Sequence, residues 1–322
     1  MKEIPMISVI MSVYNGEKYL RTAVDSILGQ TFTNFEFIII EDNSSDNTLQ
    51  ILEKYQIRDP RIKIIKKEKN TGIAGFIENL NIGLNQAKGK YIARMDADDI
   101  SQLDRFEKQI NFLEKNPKIF IVGSFVQCIN ENDEDTKLMT CYINDRDIQK
   151  LMFKKIQLFH PVIMFRNNSE VQYLEKMFYC EDFDLYLRLM TSGYKFANIA
   201  EPLLKYRILA DSISRRDNKF IKWLFVEKAR KFYIQRKITD KDNYENLNPR
   251  NLLSILAPEH KNNKEELLFA SRVAWKYNCR KELKQILQKG KKQYPLERKF
   301  TIYEIYFLLP KFTLPFLTKL FS

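Results

Sequence analysis

The chain has 322 residues, of which 44% are hydrophobic and 29% are charged; this supplies a packed core and argues against disorder as its main state. A formal net charge of +12 favours an anionic partner such as nucleotide phosphates, nucleic acid or an acidic membrane face. Four cysteines without metal-ligand spacing and only two histidines argue against a Cys/His zinc site and for reduced thiols in a cytoplasmic protein. We expect no signal peptide, because Lys2, Glu3 and Pro5 precede the first apolar run and no small-residue cleavage site follows it. We expect no spanning helix, because no apolar run reaches the ~18 residues that a span needs.

The first hundred residues alternate between apolar strand patterns and amphipathic helix patterns. Continuous apolar runs predict buried strands over 7–13, 35–40, 62–65 and 91–95. Helical spacing predicts helices that begin near residues 17, 48 and 73. This order is typical of a parallel sheet covered by helices on both faces.

Polar side chains follow each of these four predicted strands. Ligands of such sheets bind outside the carboxyl ends of the strands, so we expect these side chains to form one cluster. Two carboxylates at i and i+2 at a strand end also suit a hard divalent cation such as Mg²⁺. In the alternative interpretation the acids only precede a helix that Ser101 or Asp104 caps. The polar residues are Ser12 and Tyr14, Asp42 and Asn43, Asn70 and Gly72, and Asp96 and Asp98.

Beyond residue 100 the pattern is more mixed. It predicts helices over 105–115, over 145–153 with Asp145 as cap, and after Tyr179 as far as Gly193. Strands are predicted over 119–129, 138–143, 160–165, 196–199 and 203–207, followed by a basic loop over 210–218. After about residue 219 strand signals vanish, and helices are predicted that include 264–275 and 280–289. The aromatic and aliphatic stretch 300–321 is either an interfacial membrane anchor or a helical arm packed on protein.

Four segments together resemble the successive motifs of a family-2 glycosyltransferase of the GT-A fold, and a fifth resembles its later acidic motif. The likeness covers about residues 5–215. It implies an α/β fold with a Rossmann-like nucleotide-sugar half (1–100) and an acceptor half (101–218), which together form the catalytic domain. A helical C-terminal region (219–322) follows. The segments are Ser8 to Asn15, Glu41-Asp42-Asn43-Ser44, Asn70-Thr71-Gly72, Asp96-Ala97-Asp98-Asp99, and Glu181-Asp182 with Leu185 and Arg188.

The resemblance also implies roles for individual residues. Asp98 would ligate Mn²⁺ or Mg²⁺ between two donor phosphates, and Asp96 would hold the ribose or the metal's water. Asp182 would be the general base of an inverting transfer, with Glu181 and His160 beside it at the acceptor. The other predicted contacts of the nucleotide-sugar donor, usually a UDP-sugar, are Ser12, Tyr14, Asp42, Asn70, Gly72 and Arg207.

Several of these residues have a plainer interpretation. Asp182 has an alternative interpretation as a helix N-cap, and His160 as a structural histidine. Arg207 would clamp phosphate through bidentate hydrogen bonds, whereas Arg94 is expected to pair with Asp96 or a neighbour. The basic loop Lys66 to Lys69 is expected to be a solvated face.

We therefore predict an inverting, metal-dependent transferase that moves one sugar to a saccharide or lipid-linked saccharide in surface-polysaccharide assembly. It would be cytoplasmic and peripheral on the inner membrane. We expect no nucleic-acid partner, and the prediction is compatible with an oligomer. A base must remove the acceptor proton, and positive charge must hold the leaving diphosphate. The alternatives are a nucleotidyltransferase that makes sugar nucleotides, although the turn after the first strand lacks its basic glycine-rich loop, and a non-catalytic basic binding protein. Donor sugar, acceptor, linkage and oligomeric state are not determined by the sequence.

Overall fold

The predicted alternation of strands and helices in the first hundred residues is confirmed. The structure, a computed structural model, describes residues 4–209 and 219–308, with side chains as far as 305. The strands are β1 (Ile7–Val13), β2 (Phe35–Glu41), β3 (Ile62–Lys66), β4 (Tyr91–Asp96), β5 (Ile100–Ser101), β6 (Ile119–Ile129), β7 (Asp135–Met139), β8 (Met164–Arg166) and β9 (Lys195–Arg207). The helices are α1 (Leu20–Leu28), α2 (Thr48–Arg58), α3 (Ile73–Gln86), α4 (Arg105–Lys115), α5 (Asp145–Met152), α6 (Glu181–Thr191), α7 (Lys219–Thr239), α8 (Pro249–Leu253), α9 (Lys264–Lys276), α10 (Arg280–Gln293) and α11 (Arg298–Leu308).

The strands form one mixed sheet in the order β3-β2-β1-β4-β8-β6-β9-β5, with β7 paired to β6. Strands β3, β2, β1 and β4 are parallel, and β1 lies at their centre. Every residue of β2 is buried, because helices cover both faces of the sheet. Ile39 packs on the face that α1, α2 and α4 cover, and Ile38 packs on the opposite face with α3.

The second half of the sheet departs from the sequence predictions in three places. The partner of β6 is Asp135–Met139 rather than 138–143, because Asn130 Oδ1 accepts from the backbone N–H groups of Asn132 and Glu134 and tightens the turn. The predicted strand 160–165 begins as a 3-10 helix, His160–Val162, since Pro161 has no N–H to donate to a ladder. The predicted strands 196–199 and 203–207 are a single strand that passes Pro202 at a register shift.

One predicted helix cap is also wrong by a residue. The N-cap of α5 is Asn144, whose side-chain oxygen accepts from the backbone N–H of Asp147 at 3.0 Å. Asp145 instead lies inside the first turn, where a carboxylate is favourable to the helix dipole.

Helices α7 to α11 pack against the same apolar core as the sheet, which extends from Ile10 to Phe300. The ring of Phe225 in α7 lies 5.6 Å from that of Phe178, just before α6. Arg230 donates to the backbone oxygens of Phe153 and Lys154, both at 2.9 Å. The predicted helices at 264–275 and 280–289 are confirmed, whereas the loop 210–218 and residues 309–322 of the predicted anchor lie outside the described residues. None of the helices described is both long and apolar enough to cross a bilayer.

A buried carboxylate at the amino-terminal edge of the sheet gives a stability prediction. Glu36 accepts from Ser8 Oγ at 2.6 Å and from the backbone N–H of Lys88 at 2.7 Å, and forms an ion pair with Lys63. Glu36→Ala leaves the buried Ser8 hydroxyl without its acceptor, whereas the Lys88 N–H keeps Ser8 Oγ as an acceptor at 3.0 Å. We therefore expect the free energy of unfolding to fall by about 1–3 kcal/mol in urea titrations.

The matched control is Glu53→Ala. Glu53 pairs with Lys66, but both side chains are about half exposed, so the loss should be below about 0.5 kcal/mol. Equal losses of unfolding free energy in the two variants would show that the buried hydrogen bonds of Glu36 do not stabilise the fold.

Candidate active site

Polar side chains from the four parallel strands meet at the carboxyl edge of the sheet. The backbone N–H of Asp42 donates to Val13 at 2.9 Å, so the end of β2 lies against the end of β1. On the other side of β1, Ser12 is in register with Asp96 of β4. Asn70, after β3, donates to Asp42 Oδ2 at 2.7 Å. The structure therefore brings together residues predicted from each of the four strand ends.

Asp42 lies at the centre of the predicted nucleotide-binding residues. It is 3% exposed, and burial raises its pKa. Within the described ranges its Oδ1 has no hydrogen-bond donor, and the nearest cation is Lys67, 3.7 Å away. The prediction that Lys67 lies on a solvated face is wrong. Its side chain is only 12% exposed, and it also pairs with Glu78 at 2.5 Å. Tyr14, at the same edge, is half exposed.

Glycine and serine position this edge through short hydrogen bonds. The backbone N–H of Gly72 donates to Asn70 Oδ1 at 2.8 Å, which orients the amide that contacts Asp42. Gly72 has a φ of 65°, in the left-handed region that favours glycine. Ser12 Oγ accepts from Asn79 of α3 at 3.0 Å. Asn79 was not predicted from the sequence, because it is one of several polar residues in α3 and no local pattern distinguishes it.

Asp96, Asp98 and Asp99 form a carboxylate cluster where β4 ends, with one oxygen of each lying within 4.8 Å of the others. Burial, and then the charge of Asp96, raise the pKa of Asp98 to about 6. Burial and the charge of Asp98 raise the pKa of Asp99 well above its ordinary value. Asp104 is the N-cap residue of α4, as the alternative interpretation expected, but α4 begins only at Arg105, so Asp96, Asp98 and Asp99 lie outside its first turn.

This cluster fits a hard divalent cation. Three oxygen donors converge, and Asp99 Oδ2 is buried with no hydrogen-bond partner among the described residues. Carboxylates this close are unfavourable together unless positive charge compensates them. Mn²⁺ and Mg²⁺ both take such ligands, so the donor set is suited to either ion.

Arg207 holds the turn that carries the cluster. Its backbone N–H donates to Asp99 Oδ1 at 2.8 Å and its Nε to the backbone oxygen of Asp98 at 2.7 Å. Nη1 donates to the backbone of Asn130 at 2.9 Å, and Nη2 pairs with Asp133 at 2.5 Å. These contacts give the buried guanidinium a positioning role, and its predicted contact with the nucleotide-sugar stays a prediction.

Arg94 connects the carboxylate cluster with the acid pair Glu181 and Asp182 through its electrostatic effects. The expected ion pair with Asp96 is confirmed, and the side chain is 2% exposed. Its charge lowers the pKa of Asp98 and also of Glu181 and Asp182 against the opposing effect of burial. A single buried cation therefore acts on both acidic groups, so both lie within reach of its charge.

Glu181 and Asp182 occupy the first turn of α6. The N-cap is Cys180, so Asp182 is not itself the cap, and Tyr179 before it has a φ of 62°, which is rare for a bulky residue. Burial, and then the neighbouring charge of Asp182, raise the pKa of Glu181 to about 8. Glu181 Oε2 is buried and lacks a hydrogen-bond partner in the part of the chain described.

Asp182 is the second member of this pair. Burial raises its pKa, whereas the charge of Lys222 and the N–H of Phe183, 2.6 Å from Oδ1, lower it. Near neutral pH Glu181 therefore holds its proton, while Lys222 and the N–H of Phe183 favour the charged form of Asp182. Lys222 belongs to α7, and nothing in the sequence pattern connects it with an acid forty residues earlier.

His160 is buried beside the same group. Its Nε2 lies 2.7 Å from Tyr173 Oη, and burial followed by the charge of Arg94 lowers its pKa well below the ordinary value. Tyr173 is fixed in turn by Asn81, which exchanges hydrogen bonds of 2.8 and 2.9 Å with its backbone. His160 is therefore neutral and held in a structural hydrogen bond, and its acceptor contact stays a prediction.

The raised pKa of Glu181 has a consequence for stability. The unfolded carboxyl ionises near pH 4.5, but the folded one keeps its proton to about pH 8, so folding loses stability as pH rises between these values. Glu181→Gln removes the ionisation, and we expect it to be more stable than the wild type by about 4 kcal/mol at pH 8 but not at pH 4.5. Urea titrations at several pH values measure the difference.

Glu175→Gln is the matched control for this change. Glu175 is exposed six residues earlier, so the same substitution should shift stability equally, and little, at every pH. If the advantage of Glu181→Gln were also independent of pH, Glu181 would not carry the raised pKa.

The chain belongs to glycosyl transferase family 2, because residues 8–188 match the model of that family. It is 38% identical over 212 residues to the O-antigen biosynthesis glycosyltransferase WbnJ of Escherichia coli, covering 63% of this chain and 80% of that one. Its fold is similar to that of S. aureus TarS in complex with UDP-GlcNAc. The TM-score is 0.59 and the identity 15%, and the match covers 93% of this chain and 91% of that one. It is also similar to the mannosyltransferase PcManGT from Pyrobaculum calidifontis in complex with GDP-Man and Mn²⁺. The TM-score is 0.50 and the identity 15%, and the match covers 95% of this chain and 86% of that one. The chain is thus a glycosyltransferase enzyme, and its mixed sheet is of the GT-A kind.

Proposed function

We propose that this glycosyltransferase is inverting and cation-dependent and moves one sugar from a nucleotide-sugar, UDP-linked by preference, to a saccharide hydroxyl. The observation that carries the proposal is the arrangement around Arg94. The carboxylate cluster suited to a cation is joined to Arg94 through Asp96, and the charge of Arg94 also reaches the acid pair Glu181 and Asp182. An inverting displacement needs these two functions at separate positions along the reacting bond.

The donor half of the site would bind the nucleotide through Asp42 and its neighbours. Asp42 Oδ2 already accepts from Asn70, which leaves Oδ1 to take one N–H of the base. Uracil presents a single ring N–H, whereas guanine presents two adjacent donors, so one free oxygen supports a uridine nucleotide. The half-exposed ring of Tyr14 would stack on the base, and Ser12, Asn70 and Gly72 would line the same pocket.

The carboxylates of Asp96 and Asp98 would hold Mn²⁺ or Mg²⁺ at the donor diphosphate. When bound, the ion supplies positive charge that stabilises the diphosphate as it leaves. The buried side chain of Arg94 holds Asp96 in place, and Arg207 fixes the backbone of Asp98. In this arrangement the protein contributes a rigid turn whose acids point to one place before the donor arrives.

The acceptor half would activate the hydroxyl. Asp182 takes its proton as the hydroxyl oxygen forms a bond to C1, the bond from C1 to the diphosphate oxygen breaks, and the nucleoside diphosphate leaves. Glu181, protonated near neutral pH, would donate a hydrogen bond to the acceptor, and His160 would lie beside it. The relation to WbnJ supports a saccharide or lipid-linked saccharide acceptor in surface-polysaccharide assembly, at the cytoplasmic face of a membrane.

The direct test is a panel of nucleotide-sugars with Mn²⁺, scored by release of the nucleoside diphosphate and by transfer to saccharide acceptors. We expect release with a UDP-sugar and loss of release with a chelator. Release of pyrophosphate from a nucleoside triphosphate and a sugar phosphate would instead identify a nucleotidyltransferase. Transfer that keeps the anomeric configuration of the donor, read by NMR, would rule out inversion.

A further inference from the structure

The net positive charge of this chain arises in its C-terminal helical region, residues 219–322. Residues 1–218 contain 30 Lys and Arg against 31 Asp and Glu, whereas residues 219–322 contain 23 against 10. The sheet that carries the candidate active site is therefore nearly neutral overall. A cation excess that is absent from the catalytic half and concentrated in helices outside it indicates a second, anionic partner.

Helix α10 presents part of this charge on one face. Lys281, Lys284 and Lys292 recur at helical spacing on its exposed side, together with uncharged Gln288. The opposite side is buried through Leu283, Ile286 and Leu287 in the apolar core. The packing of α10 thus fixes the direction in which the three lysines point.

The surface continues into the turn after α10. Leu296 is 95% exposed there, and Arg298 and Lys299 beside it are exposed as well. We name Lys281, Lys284, Lys292, Arg298, Lys299 and Leu296 the cationic stripe. No acidic side chain among the residues described forms an ion pair with its basic members, whereas the nearby Lys264 does pair with Glu297 at 3.3 Å.

We propose that the cationic stripe docks the enzyme on an anionic lipid bilayer. Its five basic side chains fit the phosphate layer of anionic lipids, and Leu296 fits the apolar layer directly beneath. A nucleic-acid backbone would complement the charges but would offer no apolar layer to a fully exposed leucine. The inference deepens the proposed function, because such docking would hold the acceptor half near a lipid-linked saccharide.

Vesicle flotation with the full chain tests the proposal. We expect binding to phosphatidylcholine vesicles that contain phosphatidylglycerol, weak binding without it, and release by salt. The triple variant Lys281→Gln, Lys284→Gln, Lys292→Gln should bind about 100-fold more weakly, since each basic residue contributes about fivefold. Leu296→Ser should weaken binding about tenfold and leave the salt dependence unchanged.

The matched control is Lys54→Gln, Lys115→Gln, Lys118→Gln, which removes three exposed lysines from the sheet half. It should bind vesicles within about twofold of the wild type. Equal losses in both triple variants would overturn the proposal, because overall charge alone would then explain binding. Tighter binding to a DNA duplex than to vesicles at equal salt and phosphate, lost in the stripe variant, would also overturn it.

Activity separates this proposal from the proposed function. The stripe variant should release nucleoside diphosphate with a water-soluble acceptor at the wild-type rate, because none of its residues lies in the candidate active site. Vesicle binding without any sugar transfer would refute the function and leave the docking surface standing. Sugar transfer without vesicle binding would refute the docking surface alone.

Discussion

Asp182→Asn is expected to lower kcat about 10²- to 10⁴-fold and to leave the affinity for the nucleotide almost unchanged. The asparagine keeps the shape of the side chain and the hydrogen bond from the N–H of Phe183, but it cannot take the acceptor proton. The donor half, at the ends of the parallel strands, is not altered. Single-turnover sugar transfer measures the chemical step, and calorimetry with UDP measures the affinity.

Asp240→Asn is the matched control for this change. Asp240 is exposed after α7 with a φ of 57°, which asparagine adopts readily, so activity should be unaffected. If Asp182→Asn retained most of its kcat while Glu181→Gln lost it, Glu181 rather than Asp182 would be the general base.

Asp98→Ala should abolish measurable turnover through a different step. The substitution removes one of three convergent carboxylates, so we expect nucleotide affinity in Mn²⁺ to fall at least about 100-fold. Calorimetry with UDP in Mn²⁺ and in a chelator separates the two contributions. The wild type should lose affinity on chelation, whereas the variant should bind equally weakly in both conditions.

Asp104→Asn provides the corresponding control. Asp104 lies five residues beyond the cluster, is half-exposed and pairs with Lys108 rather than with the cluster, so cation-dependent affinity should persist. Cation-dependent affinity that survives in Asp98→Ala would show that the ion, if one binds, uses other ligands.

The parallel half of the fold could be predicted from the sequence because each element there carries its own signal. Strand β1 is a continuous apolar run, and α4 has the bounds that helical spacing predicted. Beyond β6, long-range pairing decides the structure. Strand β9 continues past Pro202 only because β6 accommodates a register shift, and no local pattern contains that information.

The residues of the candidate site likewise divide into those that the sequence predicts and those that only long-range packing brings into place. Residues at the strand ends, such as Asp42 and Asp98, were predictable because topology places them on one edge. Arg94 gives a partial signal, since a charged residue inside an apolar strand requires a partner. Lys222 gives none, because its effect on Asp182 arises only when α7 packs beside α6. Lys67 was mistaken for surface since its burial depends on Asp42 and Glu78.

The packing of α7 also limits how this enzyme could be recombined with its relatives. The family match ends at residue 188, yet Arg230 is joined to the backbone at Phe153, and Phe225 lies against Phe178. A chimera cut at the end of that match would separate the acid pair from Lys222 and uncover the apolar flank of α6. Crossovers that exchange acceptor preference should therefore fall after α7, so that both sides of this contact come from one parent.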